Sequence, residues 1–90
     1  MDAEKFGSFI AACRKEKNMT QAELAQKIKV TDKAVSRWER GKGFPDISIL
    51  VPLSDALDIS LPELMSSEKS IKRKDNISNN YLQFMITDVD

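Results

Sequence analysis

The sequence predicts an all-α fold of five helices over residues 1–65, followed by a short C-terminal extension. Three observations carry that prediction. Ninety residues hold only three glycines and three prolines, few for a strand-and-turn architecture. Apolar residues return at three- and four-residue spacing, as on one face of a helix. Ser or Thr followed by Glu three residues on, a helix-start signature, precedes apolar runs at Thr20–Glu23 and Ser60–Glu63. A chain this long supports one small core rather than two.

Phe6, Phe9, Ile10 and Cys13 set the first helix, and Arg14, Lys15 and Lys17 gather at its end. Cys13 on this apolar face reads as a core residue. Asn18 sits where a helix stops in the left-handed conformation that asparagine tolerates. Thr20 then opens a capping box with Glu23, and Met19 and Leu24 are placed as its hydrophobic staple. Leu24, Ala25 and Ile28 form the buried face of a short second helix.

Thr31 caps the third helix, Val30 and Val35 are its staple, and Gly41 closes it. Only Lys29 and Val30 separate the second and third helices, which predicts a tight turn and a steep crossing. Pro45-Asp46 opens a fourth helix carrying Ile47, Leu50, Leu53 and Leu57. Pro52 cannot donate to the Ser48 carbonyl, and inside a regular helix that costs ~3 kcal/mol or more. The regular helix is therefore expected to start late or to kink there. Ser60-Leu61-Pro62-Glu63 caps a fifth helix, with Ile59 and Leu64 as staple and proline in the permitted first turn. Residues 66–80 are polar, include Lys72-Arg73-Lys74, and read as a linker. Residues 81–90 carry an apolar stripe, Leu82, Met85, Ile86 and Val89, too short to stand alone as a helix. The stripe is expected either to serve in oligomerisation or to dock back on its own domain.

Formal net charge is zero, but its distribution is uneven. Arg14 to Lys42 holds nine basic residues (14, 15, 17, 27, 29, 33, 37, 40, 42) against four acidic (16, 23, 32, 39). Residues 43–65 hold four acidic residues (46, 55, 58, 63) and no basic one. The surface is thus expected to have two faces of opposite sign. The lone cysteine and the lack of histidine argue against a disulfide, a metal cluster and the usual general base. No glycine-rich phosphate loop is present, so the expectation is a non-enzyme with no cofactor and no metal. The polar start Met1-Asp2-Ala3-Glu4-Lys5 does not resemble a secretory signal, and no apolar run approaches membrane length. A cytoplasmic protein is expected.

The third helix sorts its residues by period. Ala34, Val35 and Trp38 fall on one side; Lys33, Ser36, Arg37 and Arg40 form a stripe of donors on the other. A helix fits the major groove of B-DNA, where lysine and arginine donate to guanine and serine reads several bases. Gln21, at the positive start of the second helix, suits a phosphate, and Lys42 offers a second anchor. A basic stripe can also be a plain solvated face. The tight link between the two helices and the pair of anchors weigh against that. Trp38 reads as packing rather than base stacking.

The same residues closely resemble the lambda-repressor-like, Cro-like (XRE) helix-turn-helix family. The likeness runs through Arg14-Lys15-Glu16-Lys17 and Met19-Thr20-Gln21-Ala22-Glu23-Leu24-Ala25. It continues through Val30-Thr31-Asp32-Lys33-Ala34-Val35-Ser36-Arg37-Trp38-Glu39-Arg40-Gly41-Lys42 and Pro45-Asp46-Ile47-Ser48, and closes on Ala56-Leu57 and Ile59-Ser60. Together these stretches span residues 5–65. The resemblance implies five helices, a homodimer on an inverted-repeat operator in double-stranded DNA, and base reading by the opening of the third helix. By position it implies Asp32, Lys33, Ser36 and Arg37 as base readers, and Gln21, Arg40 and Lys42 as phosphate contacts. It also implies a partly buried ion pair between Arg14 and Glu39 that ties the first helix to the third. Asn18, Lys29 and Asp58 stand where the family often has glycine; a left-handed lysine costs about 1–2 kcal/mol. Asp32 would repel phosphates unless it accepts from a cytosine amino group or orients Lys33. It could instead be a first-turn acid favouring the helix dipole.

The function this implies is a sequence-specific transcriptional regulator, typically a repressor. The alternative is an antitoxin or anti-repressor that keeps the fold and acts mainly by holding a protein partner.

Overall fold

The computed structural model describes residues 1–69, which form five helices. They are α1 (Ala3–Glu16), α2 (Gln21–Ile28), α3 (Asp32–Glu39), α4 (Ile47–Leu57) and α5 (Leu61–Ser66). Each start has a side-chain cap. Asp2 Oδ1 accepts from the Glu4 amide at 2.9 Å, and Thr31 Oγ1 accepts from the Ala34 amide at 3.1 Å. Thr20 and Glu23 complete a reciprocal box, 3.0 Å and 2.8 Å, as Ser60 and Glu63 do at 3.1 Å and 2.9 Å. Asp46 accepts from the Ser48 hydroxyl at 2.6 Å and the Ser48 amide at 3.1 Å. Those two bonds hold its carboxyl below the usual carboxylate range.

Three corners share one backbone pattern. Asn18, Lys29 and Asp58 are left-handed, with φ of 58°, 61° and 58°. The next residue, Met19, Val30 or Ile59, sends its amide back five residues, to Arg14, Ala25 or Ser54. That bond satisfies a carbonyl the ending helix would otherwise leave open. The residue after it, Thr20, Thr31 or Ser60, caps the next helix.

One core joins all five helices: Phe6, Ile10 and Cys13 from α1, Leu24, Ala25 and Ile28 from α2, Val35 and Trp38 from α3, and Leu53, Leu57 and Leu64 beyond. Fully burying a leucine or phenylalanine contributes about 1.5–3 kcal/mol, so this cluster is the main cohesive force. Burial also pushes the Cys13 thiol pKa up, which leaves it a packing group rather than a nucleophile. Gly7 lets α1 and α3 meet backbone to backbone. A Cβ there would stand 2.2 Å from the Trp38 carbonyl oxygen and 2.9 Å from that of Glu39.

Two expectations need correction. Ile47 is 81% exposed and does not join the inner face of α4, which is formed by Leu53, Ser54 and Leu57 with Leu50 half-buried. α4 also does not start late: it begins directly after Asp46 and runs through Pro52 to Leu57. The bond that Pro52 removes would have ended on the carbonyl of exposed Ser48, where water can serve instead. α5 ends at Ser66, and the residues just after it still pack against the helices. Ser67 is buried, the Glu68 amide reaches the Glu63 carbonyl, and Lys5–Glu68 and Lys69–Glu16 pair at 2.9 Å and 2.6 Å. The basic run Lys72-Arg73-Lys74 and the stripe Leu82, Met85, Ile86 and Val89 lie outside the described residues. Among the described residues, no helix is long and apolar enough to cross a membrane.

Candidate nucleic-acid interface

α3 places its residues by the helical period. Val35 and Trp38 face the core, Trp38 with 6% exposure, so the indole packs and does not stand among outward groups. Asp32, Lys33, Arg37 and Arg40 are exposed, and Ser36 is half-buried between them. These are the expected base readers together with one expected phosphate contact, and they share one outward face. Asp32 is the first residue of α3, where an acid favours the positive helix end. Arg40 folds back: its Nε donates to the Ser36 carbonyl at 3.3 Å.

The loop after α3 extends this face. Gly41 has a φ of 74°, and a Cβ there would stand 2.9 Å from Glu4 Cγ and 3.1 Å from Glu4 Cα. Glycine thus lets the loop turn close against the start of α1. Lys42 follows, exposed, with its amide donating to the Arg37 carbonyl at 3.0 Å. At Gly43 a Cβ would come 3.2 Å from Arg37 Nη2, so the Arg37 guanidinium lies over the loop backbone.

Behind this face sits a charged tie. Arg14 Nε donates to Glu39 Oε2 at 2.7 Å and Nη2 donates to Oε1 at 2.9 Å, a two-point pair. The two side chains are 11% and 7% exposed. Hydrogen bonding to Glu39 outweighs desolvation and pushes the Arg14 pKa up. Arg14 Nη1 also donates to the Met19 carbonyl at 2.8 Å, so the guanidinium reaches the entry to α2. Gln21 is not a free surface group: its Nε2 donates to Glu39 Oε1 at 2.9 Å.

Reading the sequence missed several of these groups. The Asp2 cap precedes the first apolar repeat and was legible by the same rule that found Thr20. Gly7, a lone glycine inside a helical pattern, carried a signal for close backbone approach. The Gln21–Glu39 bond joins residues 18 apart, and no local pattern announces it.

A family model described as helix-turn-helix matches residues 10–64. The transcriptional activator BcrR of Enterococcus faecalis is 36% identical over 67 residues, 74% of this chain and 33% of the relative. YqaE, an uncharacterized helix-turn-helix transcriptional regulator of Bacillus subtilis, is 36% identical over 67 residues, 58% of its length. The chain thus spans between a third and three-fifths of these relatives. Among solved structures, the P22 c2 repressor in complex with a synthetic operator superposes with a TM-score of 0.67 at 35% identity. That match covers 70% of this chain and 96% of the other. With its fold and the greater part of its length matched, the chain belongs to the lambda-repressor-like (XRE) helix-turn-helix family of DNA-binding regulators.

Proposed function

We propose that this protein is a sequence-specific transcriptional regulator that lays the outward face of α3 in the major groove of its operator. The observation that carries this reading is the outward face of α3 and its C-cap, exposed Lys33, Arg37 and Arg40 with half-buried Ser36 among them, on a helix whose other side is buried. Lys33 and Arg37 donate to guanine edges, Ser36 reads beside them, and Asp32 accepts from a cytosine amino group. Gln21, Arg40 and Lys42 hold phosphates and set register. Arg14 and Glu39 fix α3 against α1.

One such unit offers few base contacts, so two copies on half-sites about one DNA turn apart, ~34 Å, are needed for specificity. We therefore read the working form as a homodimer on an inverted repeat, within the cell that holds the DNA. Exposed Leu61 and Met65 on α5, 37% and 43%, supply apolar surface for such a contact. Repression is the preferred mode: occupying an operator suffices for it, and the likeness to the P22 c2 repressor supports it.

Selecting bound sequences from random DNA gives the operator and the test. Arg37→Ala is expected to weaken operator binding by about 1–3 kcal/mol and to relax preference at one base pair per half-site. Lys42→Ala is expected to weaken all sequences alike and to flatten the salt dependence by about one unit. If both variants behave the same on selected and random DNA, the division into readers and anchors is wrong.

A further inference from the structure

Glu39 closes α3, yet its carboxylate serves three elements. Oε2 accepts from Arg14 Nε of α1, and Oε1 accepts from both Arg14 Nη2 and Gln21 Nε2. Gln21 is the first residue of α2, half-buried, and Arg14 also grips the Met19 carbonyl just before the cap at Thr20. Tying α1 to α3 needs only the Arg14 contacts. The Gln21 contact is additional.

The chemistry of the acceptor fixes the amide. A carboxylate can only accept, so it holds the NH2 end of Gln21 and never the oxygen. One N–H is committed to Glu39 and one remains. The side chain has also lost rotamer freedom before any ligand arrives, which lowers the cost of a later contact. An acid beside a phosphate site would normally repel the ligand. Here the two-point pairing with Arg14 balances the Glu39 charge, so the amide can be held without that penalty.

We infer that Glu39 is a positioning residue for the phosphate contact at the start of α2, holding Gln21 so that its second N–H meets a DNA phosphate oxygen. This rests on the proposed reading of the chain as a DNA-binding regulator. Operator affinity for Gln21→Ala, Glu39→Gln and the double variant, each over a range of salt, closes a cycle. In the otherwise unchanged chain, Gln21→Ala is expected to weaken binding about tenfold, the loss of one hydrogen bond to a charged group. With glutamine at 39, the same substitution is expected to cost no more than about twofold, because an acceptor-only partner no longer orients the amide. A tenfold loss in both backgrounds overturns the inference: Glu39 would then act on the fold alone. No loss in either background overturns it at the anchor. An unaltered chain that enriches no sequence from random DNA overturns the reading beneath it.

Glu39→Gln disturbs a buried pair, so a second measurement uses the unaltered chain. The side-chain amide protons of Gln21 are expected to exchange with water about tenfold slower than those of exposed Gln26, followed by NMR with and without operator. Equal exchange rates for the two glutamines overturn the inference.

Discussion

The corner between α2 and α3 and the corner between α4 and α5 are built alike and used differently. Each consists of a left-handed residue, a half-buried apolar residue and a hydroxyl cap: Lys29-Val30-Thr31 in one, Asp58-Ile59-Ser60 in the other. Each closes with the same backward amide bond, 3.0 Å in both. The helices that follow diverge in what they show outward. α3 shows Lys33, Arg37 and Arg40, whereas α5 shows Leu61 and Met65. Local backbone chemistry thus sets where a helix begins, while the outward side chains decide whether it suits phosphate and base edges or another apolar surface. The two kinds of specification use different residues, and that separation can be tested.

The largest expected effect concerns what holds α3 once its corner has placed it. Glu39→Ala would leave Arg14 buried without its carboxylate, and breaking a pair this enclosed is expected to cost about 3–5 kcal/mol. Adding Arg14→Met removes the stranded charge, so the double variant is expected to lose less than the sum of the two single changes. Denaturant unfolding of the three variants measures this. Strictly additive losses would mean that the corner alone, and not the tie, determines the position of α3.

The two corners also show why so much was legible in the sequence. Caps, staples and helix ends are local: Thr20, Thr31 and Ser60 act on amides three residues away, so spacing alone reveals them. The donor stripe on α3 was legible because a helix fixes which residues share a face. Apart from the Asp2 cap, what escaped depends on partners distant in the chain. Gly7 is required by the carbonyls of Trp38 and Glu39, and Gln21 is claimed by Glu39. Ile47 matched the apolar repeat of α4 yet lies outside its buried arc, because periodicity cannot say where the neighbouring helices stop. Pro52 sits inside α4 for a related reason: the residue whose carbonyl loses its partner, Ser48, is exposed, so water can serve it.

A smaller effect separates the corners directly. Thr31→Ala and Ser60→Ala each remove a helix cap, and each is expected to lower stability by about 1 kcal/mol. Their consequences for DNA should differ. Loosening the start of α3 disturbs Asp32 and Lys33, so Thr31→Ala is expected to weaken operator binding even at temperatures where the chain is fully folded. Ser60→Ala is expected to leave the affinity of each unit for a half-site unchanged. Melting curves and half-site titrations, run side by side, give both quantities. Equal losses of half-site affinity would show that the two corners are not functionally separable.

The smallest effect sharpens the comparison at its backbone. A lysine held left-handed costs about 1–2 kcal/mol, whereas aspartate visits that region more readily because its short side chain bonds locally. Glycine removes the steric cost but raises the entropy of the unfolded chain, which takes back part of the gain. Lys29→Gly is therefore expected to stabilise the protein by about 0.5–1 kcal/mol. Asp58→Gly should gain less, for it starts from a milder penalty and also gives up the Lys17–Asp58 pair. That pair is long, 3.6 Å, and both side chains are well exposed, so its loss is a minor part of the difference. Denaturation midpoints of the two variants rank the corners by strain. A larger gain at Asp58 than at Lys29 would mean that side-chain contacts at Lys29, rather than its backbone conformation, govern the α2–α3 corner.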